Sequence, residues 1–197
     1  EARRKEDDDA SSVEKEVEHS LERVMTLLRK DRFDANLLGM ESLVLLTDTQ
    51  STTFDKATCT ARYIVADAKY GGLREKLKEF LWPQPAEEDF DDTFDLDQWD
   101  SMHEQVLVFL ANALCLLAKE NNNADHLSNW TVSDADFLQI LVEETKKADM
   151  NPQNAYQALR SLNSIVESSG SMKEEVVNRG LPTSIAVAQT VGQSRHA

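Results

Sequence analysis

"NPQNAYQALRSLNSIVESSG", residues 151–170, is the segment whose reading decides the fold. Asn151 before Pro152 is a helix start, because proline at the first helical position loses an amide that would lack a partner anyway. Gly170 is a stop. Between them Ala155, Ala158, Leu159, Leu162, Ile165 and Val166 fall on one face of a 3.6-residue helix.

The centre of that helix recurs. Ala158-Leu159-Arg160-Ser161-Leu162-Asn163 matches Ala113-Leu114-Cys115-Leu116-Leu117-Ala118 and Ser42-Leu43-Val44-Leu45-Leu46-Thr47: small, Leu, two variable residues, Leu, small or polar. The last two copies are 45 residues apart and the first two 71 apart, an excess of 26 that an acidic segment between prolines and the next helix largely fills. A period near 45 with two or three helices per unit lies in the range of α-solenoid repeats.

Working outward, the same periodicity predicts further helices. Val13, Val17, Leu21, Val24 and Leu28 form one stripe behind a capping box of Ser11 and Glu14, after a charged, flexible lead-in at 1–10. A second helix starts near Asp34 and carries Leu37, Leu38, Met40, Leu43, Val44 and Leu46. A third follows Ser51 and Thr52, and Gly71-Gly72 stops it. A fourth, "LREKLKEFLW", ends at Pro83 and Pro85. From Ser101 to Lys119 the pattern is apolar nearly all round, so this helix should be central and covered on most sides. Ser133 caps a helix ending at Lys146 and Lys147, and short helices are expected at 172–178 and 182–191 before a loose tail at 192–197. No segment alternates in the manner of a strand. The fold class expected is all-α, a single domain over 11–191 with an acidic insertion at 83–100.

The segment 154–169 resembles the long third helix of an armadillo repeat, whose usual form is Ala-Leu-x-Asn-Leu-Ser, and the likeness extends over about 34–170. The resemblance implies an armadillo-like right-handed α-solenoid that acts as a protein-binding scaffold. In several armadillo proteins an asparagine ladder on that helix binds the partner's backbone; here Leu45, Leu116 and Ser161 stand in those places, so the ladder is not carried over. A closed helical bundle is the other arrangement that fits the periodicity.

Charge narrows the partner. The net charge is −15, and between Lys78 and Lys119 forty residues hold ten acids and no Lys or Arg. Such a surface repels phosphate, so no direct nucleic acid is expected and a protein with a basic or basic-rimmed hydrophobic surface is. Within this gap "EEDFDDTFDLDQWD", residues 87–100, has eight acids among fourteen residues, punctuated by apolar side chains. The expected partner-binding residues are Phe90, Phe94, Leu96 and Trp99 with Asp91, Asp92, Asp95 and Asp97. The aromatics either enter a partner or dock on this domain, and we expect partial self-docking with the acids outward. Asp89, Asp91, Asp95 and Asp97 partly alternate as calcium ligands would, but there is no glycine between Gly72 and Gly170 to make the sharp turn of a calcium loop.

No catalytic signature is present. His19, His103, His126 and His196 have no ligand spacing and read as solvated or capping; Cys59 and Cys115 read as small core residues. No enzyme activity, metal or cofactor is expected. Asn129-Trp130-Thr131 matches a glycosylation acceptor without a signal peptide to support it. The apolar run 106–118 is too short to span a bilayer, so no membrane partner is expected. The chain begins with Glu1, which suggests a piece of a longer intracellular protein, cytoplasmic or nuclear, that is a monomer or one part of a larger chain. Two rival functions fit the same resemblance: a chaperone cofactor promoting nucleotide exchange on a heat-shock ATPase, and a purely structural piece of a longer solenoid.

Overall fold

The helix Leu96–Ala118 is the member on which most of the others pack. Among its side chains Met102, Val106, Leu107, Phe109, Leu110, Ala113, Leu114 and Leu117 are buried. The computed structural model describes residues 2–30, 32–66, 71–81, 96–119, 135–168, 174 and 176–178. Among them are seven helices: α1 (Ala2–Leu28), α2 (Phe33–Thr47), α3 (Phe54–Ala66), α4 (Gly71–Leu81), α5 (Leu96–Ala118), α6 (Ala135–Lys146) and α7 (Pro152–Ser168). No strand occurs among the described residues, so the chain is all-α there.

The packing order is specific. α1, α2 and α3 pack on one another; α5 packs on α2, α3, α4 and α7; α6 packs on α7. The three helices that carry the recurring Leu-x-x-Leu stretch, α2, α5 and α7, therefore meet in succession. One apolar core runs through all seven helices, with Leu21 and Leu28 of α1, Met40 and Leu43 of α2, and Leu162 and Ile165 of α7 among its members.

Several local expectations hold and others need correction. α2 starts one residue before Asp34, and α7 starts at Pro152, where Asn151 Oδ1 accepts the Asn154 amide at 3.1 Å. Ser11 is not a cap: α1 is already helical from Ala2, so Ser11 and Glu14 lie inside it. Gly71-Gly72 opens α4 rather than closing α3. α5 starts at Leu96, five residues before Ser101, so the end of the acidic insertion is helical. By length and composition α5 from Asp97 to Ala118 meets the requirement for a membrane-crossing helix, which the shorter run 106–118 did not; in the fold its apolar side chains fill the core. Ser133, the tail and the expected helix at 182–191 lie outside the described residues; Glu174 and residues 176–178 are helical, with Val176 buried.

The α1–α2 junction is the tightest. Asn36 is buried, and its amide nitrogen, oriented by the acceptors around it, donates to the carbonyls of Leu27, Leu28 and Lys30 at 3.0–3.2 Å. This side chain supplements the end of α1, where the Leu27 carbonyl also accepts the Lys30 amide at 3.1 Å. One turn on, Gly39 leaves no room for a side chain: a Cβ there would lie 2.9 Å from Leu28 Cγ and Cδ2 and 3.3 Å from Leu27 Cβ. An alanine at an ordinary helical position stabilises. Here Gly39→Ala should instead cost about 1–3 kcal/mol through overpacking. Urea unfolding of the two proteins measures this; equal or greater stability of the alanine variant would contradict the close approach.

Candidate functional site

The acidic–aromatic segment is the first candidate, and the structure describes only its end. Phe90, Asp91, Asp92, Phe94 and Asp95 lie outside the described residues, and Leu96 is described only as the first residue of α5. Asp97 and Asp100 are exposed on the first turns of α5, where carboxylates complement the positive helix end. Trp99 is half-buried, its ring stacked on Phe33 at the start of α2, with centroids 6.0 Å apart and planes 28° apart. Of the expected anchors, Trp99 thus docks on this domain, and Asp97 faces water. The stack ties the start of α5 to the start of α2. A visible signal placed Trp99 on the helix: Trp99, Met102, Val106 and Phe109 continue one apolar spacing of three and four.

A second constellation was not foreseen. His103 of α5 is only 13% exposed at its side chain, and its Nε2 lies 3.3 Å from Oε2 of Glu144 on α6, itself 6% exposed. Glu144 Oε1 accepts from Lys147 Nζ at 2.6 Å. His103 is therefore a half-buried partner of a carboxylate, not a solvated or capping residue. Burial pushes the Glu144 carboxyl up, but the contacts from His103 and Lys147 outweigh it and hold the group below its ordinary range. Each carboxylate oxygen faces a donor, so the cluster spends its charge on tying α5 to α6. The two residues are 41 apart in sequence and share no motif, so only the fold brings them together.

A third polar group bridges α5 and α7. Arg160 donates to Gln157 Oε1 at 2.8 Å and reaches Asn112 Oδ1 at 3.5 Å, with its guanidinium 6.0 Å from the Tyr156 ring. This explains the asparagine that interrupts the apolar run of α5. Of the three residues in the armadillo ladder places, Leu45 is exposed while Leu116 and Ser161 are buried, so they do not form a continuous exposed row. Cys59 is buried, and Cys115 is half-buried. Among the described residues no group of three or more His, Cys, Asp or Glu is placed to hold a metal ion.

Comparison with protein-family models, with curated proteins and with solved structures gives no match.

The Glu144 cluster sets a pH dependence. A carboxyl whose folded pKa lies below its unfolded value binds fewer protons when folded, so its stabilisation is full above the ordinary Glu range and is lost as pH falls through the depressed value. Glu144→Gln should therefore cost about 1–3 kcal/mol near pH 7. The gap from the parent should narrow below about pH 4.5. Unfolding curves across pH 3–7 check this; a gap that stays constant or widens in acid would contradict it.

Proposed function

We propose that this chain is a non-enzymatic, armadillo-like right-handed α-solenoid that binds another protein, with the acidic insertion contributing to recognition. The observation that carries the reading is the successive packing of α2 on α5 and α5 on α7, the three helices that share the recurring stretch. In a solenoid each unit covers its neighbour and leaves broad faces free. A closed bundle would give α2 and α7 a shared interface of the same rank, and among the described residues the packed pairs do not include one.

The partner's chemistry follows from charge. Asp97 and Asp100 are exposed, and they belong to the forty residues without Lys or Arg. A basic surface would be drawn to this end of α5 by long-range attraction, and its binding would weaken with salt. Trp99 supports recognition indirectly: packed on Phe33, it holds the acidic turn in place. The buried rows of α5 and α7 leave the ladder mode of peptide clamping aside.

Affinity capture with the intact chain, followed by identification and titration of the partner, tests this. Replacing Asp91, Asp92, Asp95, Asp97 and Asp100 by Asn should weaken the partner at least tenfold and leave the thermal midpoint nearly unchanged. Trp99→Ala should lower stability by about 1–3 kcal/mol, because it removes a packed aromatic pair and its buried area. Absence of any saturable partner, or a partner indifferent to the five amides, would contradict the proposal.

A further inference from the structure

We propose that the outer face of α2 is a docking surface for a basic amphipathic helix of a partner protein. The inference rests on the reading of the chain as a protein-binding scaffold, and it names a second surface and the kind of segment that fits it.

α2, "FDANLLGMESLVLLT", is apolar around nearly its whole circumference, a pattern that belongs to a helix covered on most sides. α1, α3 and α5 cover three sides, where Met40, Leu43 and Thr47 are buried. Among the described residues the fourth side is open. Leu38 is 52% exposed and Leu45 57% exposed, seven residues apart and so two turns along the same face. Single exposed leucines are ordinary on protein surfaces. A pair in register on one face of a helix is the spacing that a partner helix reads as anchor positions.

The charges around the pair select the occupant. Asp34, Glu41 and Asp48 alternate with the leucines along the face, at successive spacings of four, three, four and three. There is no Lys or Arg from 33 to 55. Asp34 is held by Arg32, so the free charge lies further along. Glu41 makes no ion pair among the described residues. Asp48 accepts from the Gln50 amide at 3.0 Å and the Ser51 hydroxyl at 2.7 Å, which hold it below the ordinary carboxylate range and keep it charged. Basic side chains flanking two apolar anchors would meet Glu41 and Asp48 as the anchors meet Leu38 and Leu45. A second copy of this chain fits poorly, because self-association through this face sets acid against acid. An anionic lipid surface is repelled for the same reason.

The probe is an 18-residue Leu/Lys peptide with leucines at helical spacings of three and four, titrated into the full 197-residue chain beside a matched Leu/Glu peptide. One-to-one binding of the Leu/Lys peptide is expected, weakening with salt, with amide shifts concentrated over 34–48. Leu38→Ser with Leu45→Ser should weaken it about tenfold or more, since two partly exposed leucines lose their burial on binding. Both side chains face water, so the thermal midpoint should hold. Glu41→Lys should weaken binding as well. Failure of the peptide to bind, or equal affinity for the Leu/Glu peptide, would overturn the proposal. So would binding untouched by the leucine pair but lost with Asp97→Asn and Asp100→Asn, which would leave the scaffold reading standing at the start of α5. If the leucine pair alters only sedimentation of the chain, a second copy is the occupant and the proposal fails.

Discussion

The fold depends on the burial of one helix. α5 carries more apolar surface than any single neighbour can cover, and α2, α3, α4 and α7 close around it. At roughly 25 cal/mol per Å² of apolar area removed from water, a buried Leu or Phe contributes about 2–3 kcal/mol, and α5 supplies Phe109 and several leucines. Remove that spine and, among the described residues, the main packing that links the α1–α2–α3 triplet to α7 is lost. The polar ties work on top of this burial. His103 with Glu144 fixes α5 to α6, Arg160 with Asn112 fixes α7 to α5, and Phe33 with Trp99 fixes the start of α5 to α2.

These ties are directional where apolar contact is not. Leucine against leucine tolerates rotation and slippage between helices, whereas a buried carboxylate that loses its donors carries the full cost of desolvation. The Glu144 cluster therefore specifies how α6 sits against α5 more than it adds to stability. Asn36 acts in the same way at the first junction, where three carbonyls converge on one amide and Gly39 lets the helices approach. Both junctions leave faces of α2 and the first turns of α5 open, and it is there that the exposed acids and the two leucines lie.

Much of the helical organisation was legible because apolar spacing reports burial directly. Asn151-Pro152 marked the start of α7, and Val17, Leu21, Val24 and Leu28 mapped the buried face of α1. Misreadings arose where a local polar signal stood in for a boundary. Ser11 looked like a cap, yet the charged residues before it continue the helix. Gly71-Gly72 looked like a stop, yet a helix opens there, since the first amides need no helical partner. Asp97 and Asp100 read as part of the acidic insertion, with the next helix from Ser101, though acids are favoured in a first turn and Trp99 carried the apolar spacing. The His103–Glu144 contact had no sequence signature, because it depends on how two distant helices cross. The order in which the helices pack is a matter of tertiary arrangement that the 45-residue recurrence does not determine.

The central claim is that α2, α5 and α7 form consecutive layers. Pulsed electron spin resonance between labels at Glu41 and Asn163, both exposed, with Cys59 and Cys115 replaced by Ala, measures it most directly. Helices packed in contact sit about 8–10 Å apart, so two intervals place the labels about 20 Å apart or further. A distribution centred near 10 Å would put α2 and α7 side by side in a closed bundle and contradict the layered account.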